Sequence, residues 1–296
     1  MKQGVALSVG ASALFAGLYY YATLMRPFDG DIIFAWRVLL GLPALAVVVQ
    51  RARGWTEIRA VGRRLSEPGF LALTFVSAVL LGVQLWLFVW APLHGMGLDV
   101  AMGYFLLPLM MVVVGRLFYG ERLSRGQAWA VGLAALGVAH ELWRVGAVSW
   151  ATAVVILGYP PYFMLRRRLK VGSLASLWYD MLLLLPPALL ILQMQSHEAA
   201  RAFVEFPRLF LLVPLLGLIS SVALAMYLAA SRMLPLSLFG LLSYVEPVLL
   251  FWVAFLLLGE PVGMTEWLTY IPIWLAVLLV ALEGAKKWRA EARRSP

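Results

Sequence analysis

Long apolar runs, separated by short polar or charged stretches, dominate the hydropathy pattern of this 296-residue chain. A helix needs roughly 20 apolar residues to cross a bilayer, and the runs have about that length. The pattern predicts ten helical spans, near residues 4–25, 31–50, 70–91, 98–118, 126–143, 148–165, 174–194, 207–230, 236–258 and 266–285. The first run also has the length of a signal peptide, but a single Lys2 before it and the lack of a convincing cleavage site favour a helix.

A repeated tract divides the chain into two halves. The tract 103–121 reappears at 240–260. The same offset of 139 positions relates four pairs: Tyr20 and Tyr159, Phe105 and Tyr244, Pro108 and Pro247, and Glu121 and Glu260. We therefore predict an all-α membrane protein of ten transmembrane helices in two five-helix repeats, residues 1–145 and 146–296. Because each repeat has an odd number of spans, the second is inverted relative to the first, an arrangement typical of transporters. The alternative is a duplication retained for packing.

Positive charge alternates between successive loops. Cytoplasmic loops of membrane proteins accumulate Lys and Arg. If both termini and every second loop lie on one side, that side holds 19 of the 24 Lys and Arg residues. Both termini are therefore predicted to face the cytoplasm. The net charge of +9 then reflects orientation in membrane lipid, and nucleic acid is not a predicted partner because the basic loops are short and scattered.

One carboxylate lies about halfway along the ninth predicted span. Glu246 directly precedes Pro247, and a proline inside a helix leaves one backbone carbonyl without its usual donor. A charge at membrane depth is costly, so it is a functional candidate by default. Glu246 can accept a proton, bind a cationic group, or do both in competition. The structural alternative is a protonated glutamate that hydrogen-bonds to the freed backbone or to a neighbouring helix.

Three further charges begin or interrupt the predicted spans. Arg37 and Asp180 lie about two turns from opposite ends of the second and seventh spans. They can neutralise each other, or form outer and inner charged elements of a pathway, although Arg37 can also extend to the interface along its stem. Asp99 begins the fourth span, where a negative charge favours a helix N-terminus. The predicted coupling or gating residues are Arg37, Asp99, Pro108, Asp180, Glu246 and Pro247.

Polar and aromatic side chains are dense around these charges. Aromatic faces suit planar or cationic organic solutes, and isolated amide or hydroxyl groups orient a ligand without strong charge. Other membrane aromatics are interfacial anchors or packing residues, and Trp90, near the outer end of its span, is predicted to be such an anchor. The predicted substrate-binding residues are Tyr20, Gln84, Trp86, Tyr104, Tyr159, Tyr227, Ser243, Tyr244 and Glu246.

Two surface features bear on packing. Small residues in the fifth span, Ala128, Gly132, Ala135 and Ala139, form a stripe that permits close helix contact. We expect it to pack within the monomer, with contact between two subunits as the alternative, so the chain is predicted to be a monomer or a homodimer. The basic segment 51–65 has apolar residues on one face, which predicts a helix lying on the lipid surface.

Catalytic and metal-binding motifs are scarce. The chain has no cysteine, its three histidines are far apart in sequence, and it lacks the Gly-rich loop of nucleotide hydrolases. No nucleophile, base and orienting group form a plausible set. We therefore predict that the protein is not an enzyme and has no catalytic residues, metal site or cofactor.

Several motifs together resemble one family of membrane proteins. In the first half they are Trp36-Arg37-Val38, Gln84-Leu85-Trp86, Trp90, His94-Gly95, Asp99, Gly103-Tyr104-Phe105, Pro108-Leu109, Gly115 and Gly120-Glu121-Arg122. In the second half they are Asp180, Leu234-Pro235-Leu236-Ser237, Gly240-Leu241-Leu242, Tyr244, Pro247, Gly259-Glu260-Pro261 and Ile273-Trp274. These resemble RarD-type permeases, in the EamA branch of the drug/metabolite transporter superfamily, over nearly the whole chain.

The resemblance implies a ten-helix carrier of the bacterial inner membrane that works by alternating access. Its cavity is expected between spans one, three, four, six, eight and nine. Superfamily substrates include amino acids, other small metabolites and drugs, often exported, with proton coupling in some members. The chain departs from the pattern at Glu246, where related permeases more often have a small neutral residue, which favours a substrate with a positive group or proton-coupled export. The expected function is therefore secondary transport of a small polar or amphiphilic metabolite; the alternatives are a lipid flippase and a non-transporting scaffold.

Overall fold

Helices account for all the regular secondary structure that the computed structural model describes, which covers residues 2–94, 96–146, 149–257, 264–265 and 267–292. The helices are α1 (Lys2–Leu24), α2 (Gly30–Arg51), α3 (Trp55–Arg64), α4 (Pro68–Leu93), α5 (Gly97–Tyr119), α6 (Arg125–Val145), α7 (Trp150–Leu169), α8 (Ser173–Met194), α9 (Ser196–Glu205), α10 (Leu209–Met233), α11 (Leu236–Ser243), α12 (Val245–Leu257) and α13 (Trp267–Ala292). Gly95, Gly259, Glu260, Pro261, Arg293 and Arg294, which the sequence patterns use, lie outside the described residues.

Each predicted hydrophobic segment overlaps a helix of the structure. Five described helices are long and apolar enough to cross a membrane, namely Lys2–Ala22, Gly30–Arg51, Pro68–Ala91, Ser173–Met194 and Leu209–Met233. Three shorter apolar stretches, Gly103–Tyr119, Leu238–Leu249 and Trp267–Leu279, lie in α5, α11–α12 and α13. The prediction of a multi-helix membrane protein is therefore confirmed. Two short helices, α3 and α9, lie in the connections between longer ones.

The ninth predicted span is broken into α11 and α12. Pro247 has no N–H to donate to the carbonyl of Ser243, four residues earlier, so one bond of the helical ladder is missing there. The Tyr244 N–H bonds instead to the carbonyl of Leu241, at 3.3 Å. The Tyr244 hydroxyl donates to the carbonyl of Phe105 in α5, at 3.0 Å. The break thus lies at Tyr244, two residues before Glu246.

Helices of the two predicted halves contact each other in reciprocal pairs. The first helix of each half packs against the third long helix of the other, as α1 with α10 and α7 with α4. In the same way α2 contacts α10 and α8 contacts α4, while α7 contacts α5 and α1 contacts α12. The remaining large contacts join equivalent helices: α2 with α8, α5 with α11, and α6 with α13. Exchanging the halves therefore reproduces the contact pattern.

Several basic connections gather at one end of the helix bundle. The N–H of Gly172, between α7 and α8, donates to Glu57 of α3 at 2.5 Å. The N–H of Leu236, which begins α11, donates to Glu121 of the α5–α6 turn at 2.8 Å. We call this the basic end, because it holds Arg59, Arg63, Arg64, Arg166, Arg167, Arg168 and Lys170. The opposite end holds contacts such as Tyr21 to the carbonyl of Leu212, at 2.7 Å, so α1 begins at the basic end.

The prediction that the apolar face of segment 51–65 lies on lipid is wrong. Ile58 and Val61 are buried in the protein core, and α3 packs on α8. The hydroxyl of Tyr179 in α8 donates to the carbonyl of Ile58 at 2.9 Å, and the rings of Trp55 and Trp178 meet edge to face. The apolar residues of α3 that were predicted to lie on the membrane are buried against α8 instead.

The small-residue stripe of the fifth span also differs from the prediction. Ala128, Gly132 and Ala139 are exposed, and Ala135 is half-buried. The face of α6 that packs on α13 is a different one, since a Cβ atom on Gly137 would lie only 2.5 Å from the carbonyl oxygen of Thr269. Packing of the stripe within the monomer is therefore wrong.

Gly240 provides a test of the α5–α11 contact. A Cβ atom there would lie 2.7 Å from Cβ of Met111 and 2.9 Å from the carbonyl oxygen of Pro108. We expect Gly240→Ala to lower the free energy of unfolding by about 1–3 kcal/mol through overpacking, seen as a lower thermal midpoint of the purified protein. Gly132→Ala is the matched control, because nothing lies within 4 Å of its Cβ position. Equal midpoints for the two variants would contradict the contact.

Candidate functional site

A small cavity lies between seven helices from both halves of the chain. Its volume is about 30 Å³, which is room for roughly two water molecules. Its lining comprises Phe15, Arg37, Leu81, Leu85, Phe88, Tyr104, Tyr159, Tyr162, Leu224, Tyr227, Leu228 and Glu246. The six spans expected to line the cavity all contribute, and α2 adds Arg37. Since metabolite sites usually measure about 300–1,000 Å³, the cavity in this conformation is too small for a metabolite.

Glu246 contributes the cavity's carboxylate. It lies in the first turn of α12, where the backbone N–H groups favour a negative charge. Its side chain is buried yet lines the cavity. Within the described part of the chain, no hydrogen bond or ion pair to the Glu246 carboxylate is found. The carboxylate is thus available to a cationic group or a proton that enters the cavity.

Arg37 contributes a positive charge to the same cavity. Its Nε donates to Ser220 Oγ of α10 at 3.0 Å, and its guanidinium carbon lies 5.8 Å from the centroid of the Phe88 ring. Because the residue is only 4% exposed, the alternative that Arg37 extends to the membrane interface is wrong. Arg37 and Glu246 therefore place opposite charges in the wall of one cavity.

Tyrosines and phenylalanines form much of the remaining wall. The hydroxyl groups of Tyr104 and Tyr159 lie 3.3 Å apart and bond to each other. The Tyr227 ring meets the Phe15 ring edge to face, with centroids 5.7 Å apart, and the Tyr104 ring meets Phe88 in the same way. These rings offer flat apolar faces, and the two paired hydroxyls offer hydrogen bonds. The structure thus brings together Tyr104, Tyr159 and Tyr227 in the cavity wall.

Two other predicted binding residues bond to backbone or side-chain groups outside the cavity lining. The amide nitrogen of Gln84 donates to the carbonyl of Val154 at 2.8 Å and joins α4 to α7. The indole N–H of Trp86 donates to Asp31 at 2.7 Å, and its ring stacks on Trp90. Both side chains join helices near the end opposite the basic end.

The last three predicted binding residues also lie outside the cavity lining. Tyr244 is fully buried, with its hydroxyl bonded to α5. The hydroxyl of Ser243 donates to the carbonyl of Phe239, one turn earlier, at 3.0 Å. Tyr20 is 36% exposed on α1. Tyr244 and Ser243 therefore stabilise the broken helix beside Glu246.

The predicted coupling residues have different surroundings. Asp180 pairs with Arg166 at 3.1 Å, so the suggested neutralisation of Asp180 by Arg37 is wrong. Asp99 lies in the first turn of α5, as expected for a helix N-terminal charge. Pro108 lies inside an unbroken α5, whereas Pro247 follows a helix break.

Sequence reasoning missed Tyr162 and Arg166 as residues of the site. Tyr162 lines the cavity and donates to Asp180 at 3.2 Å. Arg166 lies just beyond the predicted span 148–165, but it belongs to α7 and is 2% exposed. The spacing of Tyr159, Tyr162 and Arg166 places all three on one helical face, and that spacing was available in the sequence.

Comparison with known proteins places this architecture among transporters. The chain is 50% identical over 293 residues to the chloramphenicol-sensitive protein RarD of Pseudomonas aeruginosa, covering 99% of this chain and 98% of that protein. It is 36% identical to an uncharacterized transporter of Haemophilus influenzae, covering 96% and 95%. It is 29% identical to the protein RarD of Escherichia coli, again covering 96% and 95%. No protein-family profile matches the chain.

A solved crystal structure of another protein shares the fold. The two superpose with a TM-score of 0.69, at 17% sequence identity, over 95% of this chain and 98% of the other. Within the described residues, no group of three or more Asp, Glu or His side chains is placed to hold a metal ion. The apolar helices and these relatives define a multi-pass membrane protein of the transporter class. At 50% identity over nearly its whole length, the chain belongs to the RarD family.

The buried pair of Arg166 and Asp180 allows a stability test. We expect Arg166→Met to lower the free energy of unfolding by roughly 3–5 kcal/mol, because it leaves a buried carboxylate uncompensated. The double variant Arg166→Met/Asp180→Leu should recover much of that loss, since neither charge remains. Thermal unfolding of the purified proteins measures both changes. Equal losses in the single and double variants would show that the pair is not coupled.

Proposed function

We propose that this protein is a secondary transporter of a small polar or amphiphilic metabolite with a positive group, such as an amino acid, an amine or a drug. The observation that carries the proposal is the Glu246 carboxylate, which lines a small central cavity and has no protein partner among the described residues. A buried charge without a partner is costly. A cationic substrate or a proton would relieve that cost each time it entered the cavity.

The chemistry of the cavity wall supports this substrate class. Glu246 can bind an ammonium group, and Arg37 can bind a carboxylate or another acceptor. The flat faces of Tyr104, Tyr159 and Tyr227 suit the apolar body of an amphiphilic molecule and also attract cations. Competition between a proton and a cationic substrate for Glu246 provides a route to proton coupling.

The reciprocal helix contacts support an alternating-access mechanism. We infer ten spans in two inverted repeats, residues 1–145 and 146–296, because exchanging the halves reproduces the contact pattern. Two such halves can exchange conformations, so that one central cavity opens to either side in turn. A cavity of about 30 Å³ requires such a rearrangement before a metabolite enters.

The inferred orientation places the basic end in the cytoplasm, with the protein in the bacterial inner membrane and both termini inside. The gathering of the basic connections at one end supports this orientation. The functional unit is a monomer or a homodimer. One relative is named for chloramphenicol sensitivity, so chloramphenicol is a reasonable test compound for this chain.

Replacement of Glu246 tests the proposed function. A thermal-shift screen against amino acids, amines, nucleosides and antibiotics, including chloramphenicol, identifies a solute that stabilises the folded protein. Flux of that solute is then measured in liposomes under an imposed pH gradient. We expect Glu246→Gln to slow flux by about tenfold or more, as when a charge-assisted contact is lost, and to abolish the response to the gradient, because glutamine cannot release a proton.

Glu198→Gln is the matched control for that experiment. Glu198 is exposed on α9, so the same chemical change there should leave flux and gradient response as in the wild type. If Glu246→Gln keeps the wild-type rate and pH response, Glu246 is not the coupling site and the proposal fails. Lack of flux for every compound in the panel would favour a non-transporting scaffold.

Cysteine labelling tests the orientation. The natural chain has no cysteine, so a single introduced one is the only target for a membrane-impermeant maleimide. Arg63→Cys on α3 should react only from the cytoplasmic side, and Glu198→Cys on α9 only from the outside. Both residues are exposed. The reverse pattern would overturn the assignment of the basic end to the cytoplasm.

A further inference from the structure

A buried polar network adjoins the cavity on the side of the basic end. Arg166 donates from one nitrogen, Nη1, to Asp180 Oδ2 at 3.1 Å, to Ser176 Oγ at 2.7 Å and to the Tyr162 hydroxyl at 3.3 Å. Its other terminal nitrogen donates to the carbonyl of Ser173 at 3.1 Å. Tyr162, Arg166, Ser176 and Asp180 are all buried. The network joins the end of α7 to the beginning of α8.

Tyr162 belongs to both the network and the cavity. Its ring is part of the cavity wall, and its hydroxyl donates to Asp180 Oδ2 at 3.2 Å. A change in the cavity that moves the Tyr162 ring therefore acts directly on a buried ion pair. Conversely, the pair holds the ring in its present position.

One polar atom of the network, Arg166 Nε, has no hydrogen-bond partner. The Asp180 carboxylate lies within reach of Ser77 of α4, one turn from the cavity residue Leu81, although that contact falls outside regular hydrogen-bond geometry. Buried groups in a static network are normally all paired, since each unpaired one carries a desolvation cost. Water that reached Arg166 Nε would satisfy it. The free-energy cost of hydrating this region is therefore lower, because water would supply a missing hydrogen bond.

Two arginines join the network to the turn at the basic end and to α10. Arg166 contacts Ser173, which begins α8, and Lys170 of the same turn is exposed. The neighbouring Arg167 donates to the carbonyls of Ser231 and Leu234 at the end of α10, at 3.2 and 2.7 Å. These bonds tie α7, α8 and α10 together where the cavity would open toward the basic end.

We propose that the Tyr162–Asp180–Arg166 network is the gate that closes the cavity at the basic end, with Tyr162 as its positioning residue. The inference rests on the proposed transport function. When the cavity opens toward the basic end, the Tyr162–Asp180 bond breaks, the ring moves, and water reaches Asp180 and Arg166. When the network re-forms, the cavity is closed on that side.

Labelling of a cysteine in the cavity tests this gate without any knowledge of the substrate. Leu228 lines the cavity, and only its backbone carbonyl bonds to Ser173 and Ser231, so Leu228→Cys keeps those bonds. An impermeant maleimide is added to the basic-end side of vesicles, as defined by Arg63→Cys. Adding Tyr162→Phe should raise the labelling rate about tenfold, as for one hydrogen bond to a charged group.

Two further variants complete the test. Tyr179→Phe is the matched control, because it removes a buried hydroxyl that bonds to Ile58 outside the cavity, and it should leave the rate unchanged. Ser176→Ala removes one bond to Arg166 without touching the cavity, and should raise the rate by about threefold. If Tyr162→Phe does not fold, the labelling rate of Ser176→Ala alone tests the gate.

The outcome separates the gate from the proposed transport function. An unchanged rate in both Tyr162→Phe and Ser176→Ala, or an equal rise from both sides of the membrane, would overturn the gate. Flux through the wild-type protein would then still stand. If instead Glu246→Gln leaves proton-driven flux unchanged while Tyr162→Phe speeds labelling from the basic-end side alone, the coupling proposal fails and the gate remains.

Discussion

Backbone hydrogen bonding in a low-dielectric interior is the constraint on which this structure depends. In hydrocarbon every N–H and carbonyl needs a partner within the protein, yet Pro247 removes a donor in the middle of an apolar segment. The segment forms two helices, α11 and α12, and the Tyr244 hydroxyl between them donates a hydrogen bond to the carbonyl of Phe105 in α5. This contact fixes the break against the other half of the protein. Glu246 lies in the cavity wall because it is in the first turn of α12, which begins at this break.

Much of the fold could be predicted from the sequence. Apolar runs of membrane length have few alternatives to helix, so the segments followed from hydropathy. The break before Pro247 did not, because the same missing N–H at Pro108 leaves α5 continuous. Contact partners were harder to predict. The apolar face of α3 suits lipid as well as it suits α8, because hydropathy does not distinguish the two environments. The small residues of α6 likewise show only that close packing is possible, and the exposed Gly132 does not use that possibility.

Only part of the candidate site could be predicted from the sequence. Glu246, Arg37 and the tyrosines at 104, 159 and 227 line one cavity, because charges and polar rings in a membrane segment are driven away from lipid. Gln84, Trp86 and Tyr244 are polar for another reason: each donates one hydrogen bond to another helix. A sequence does not distinguish a donor that joins helices from one that faces a ligand. Arg166 was missed because a run of three arginines is typical of a loop, although its first member is buried in α7.

The two halves of this protein share a contact pattern but not a shape. The fourth span of the first half continues through Pro108 as one helix, whereas its partner in the second half is interrupted before Pro247. In the alternating-access mechanism proposed above, two identical halves would give the two open conformations equal free energy and equal populations. The interrupted helix removes that equality. In the proposed transport cycle the two open conformations therefore differ in free energy even without substrate, and this difference is a property of the folded chain itself.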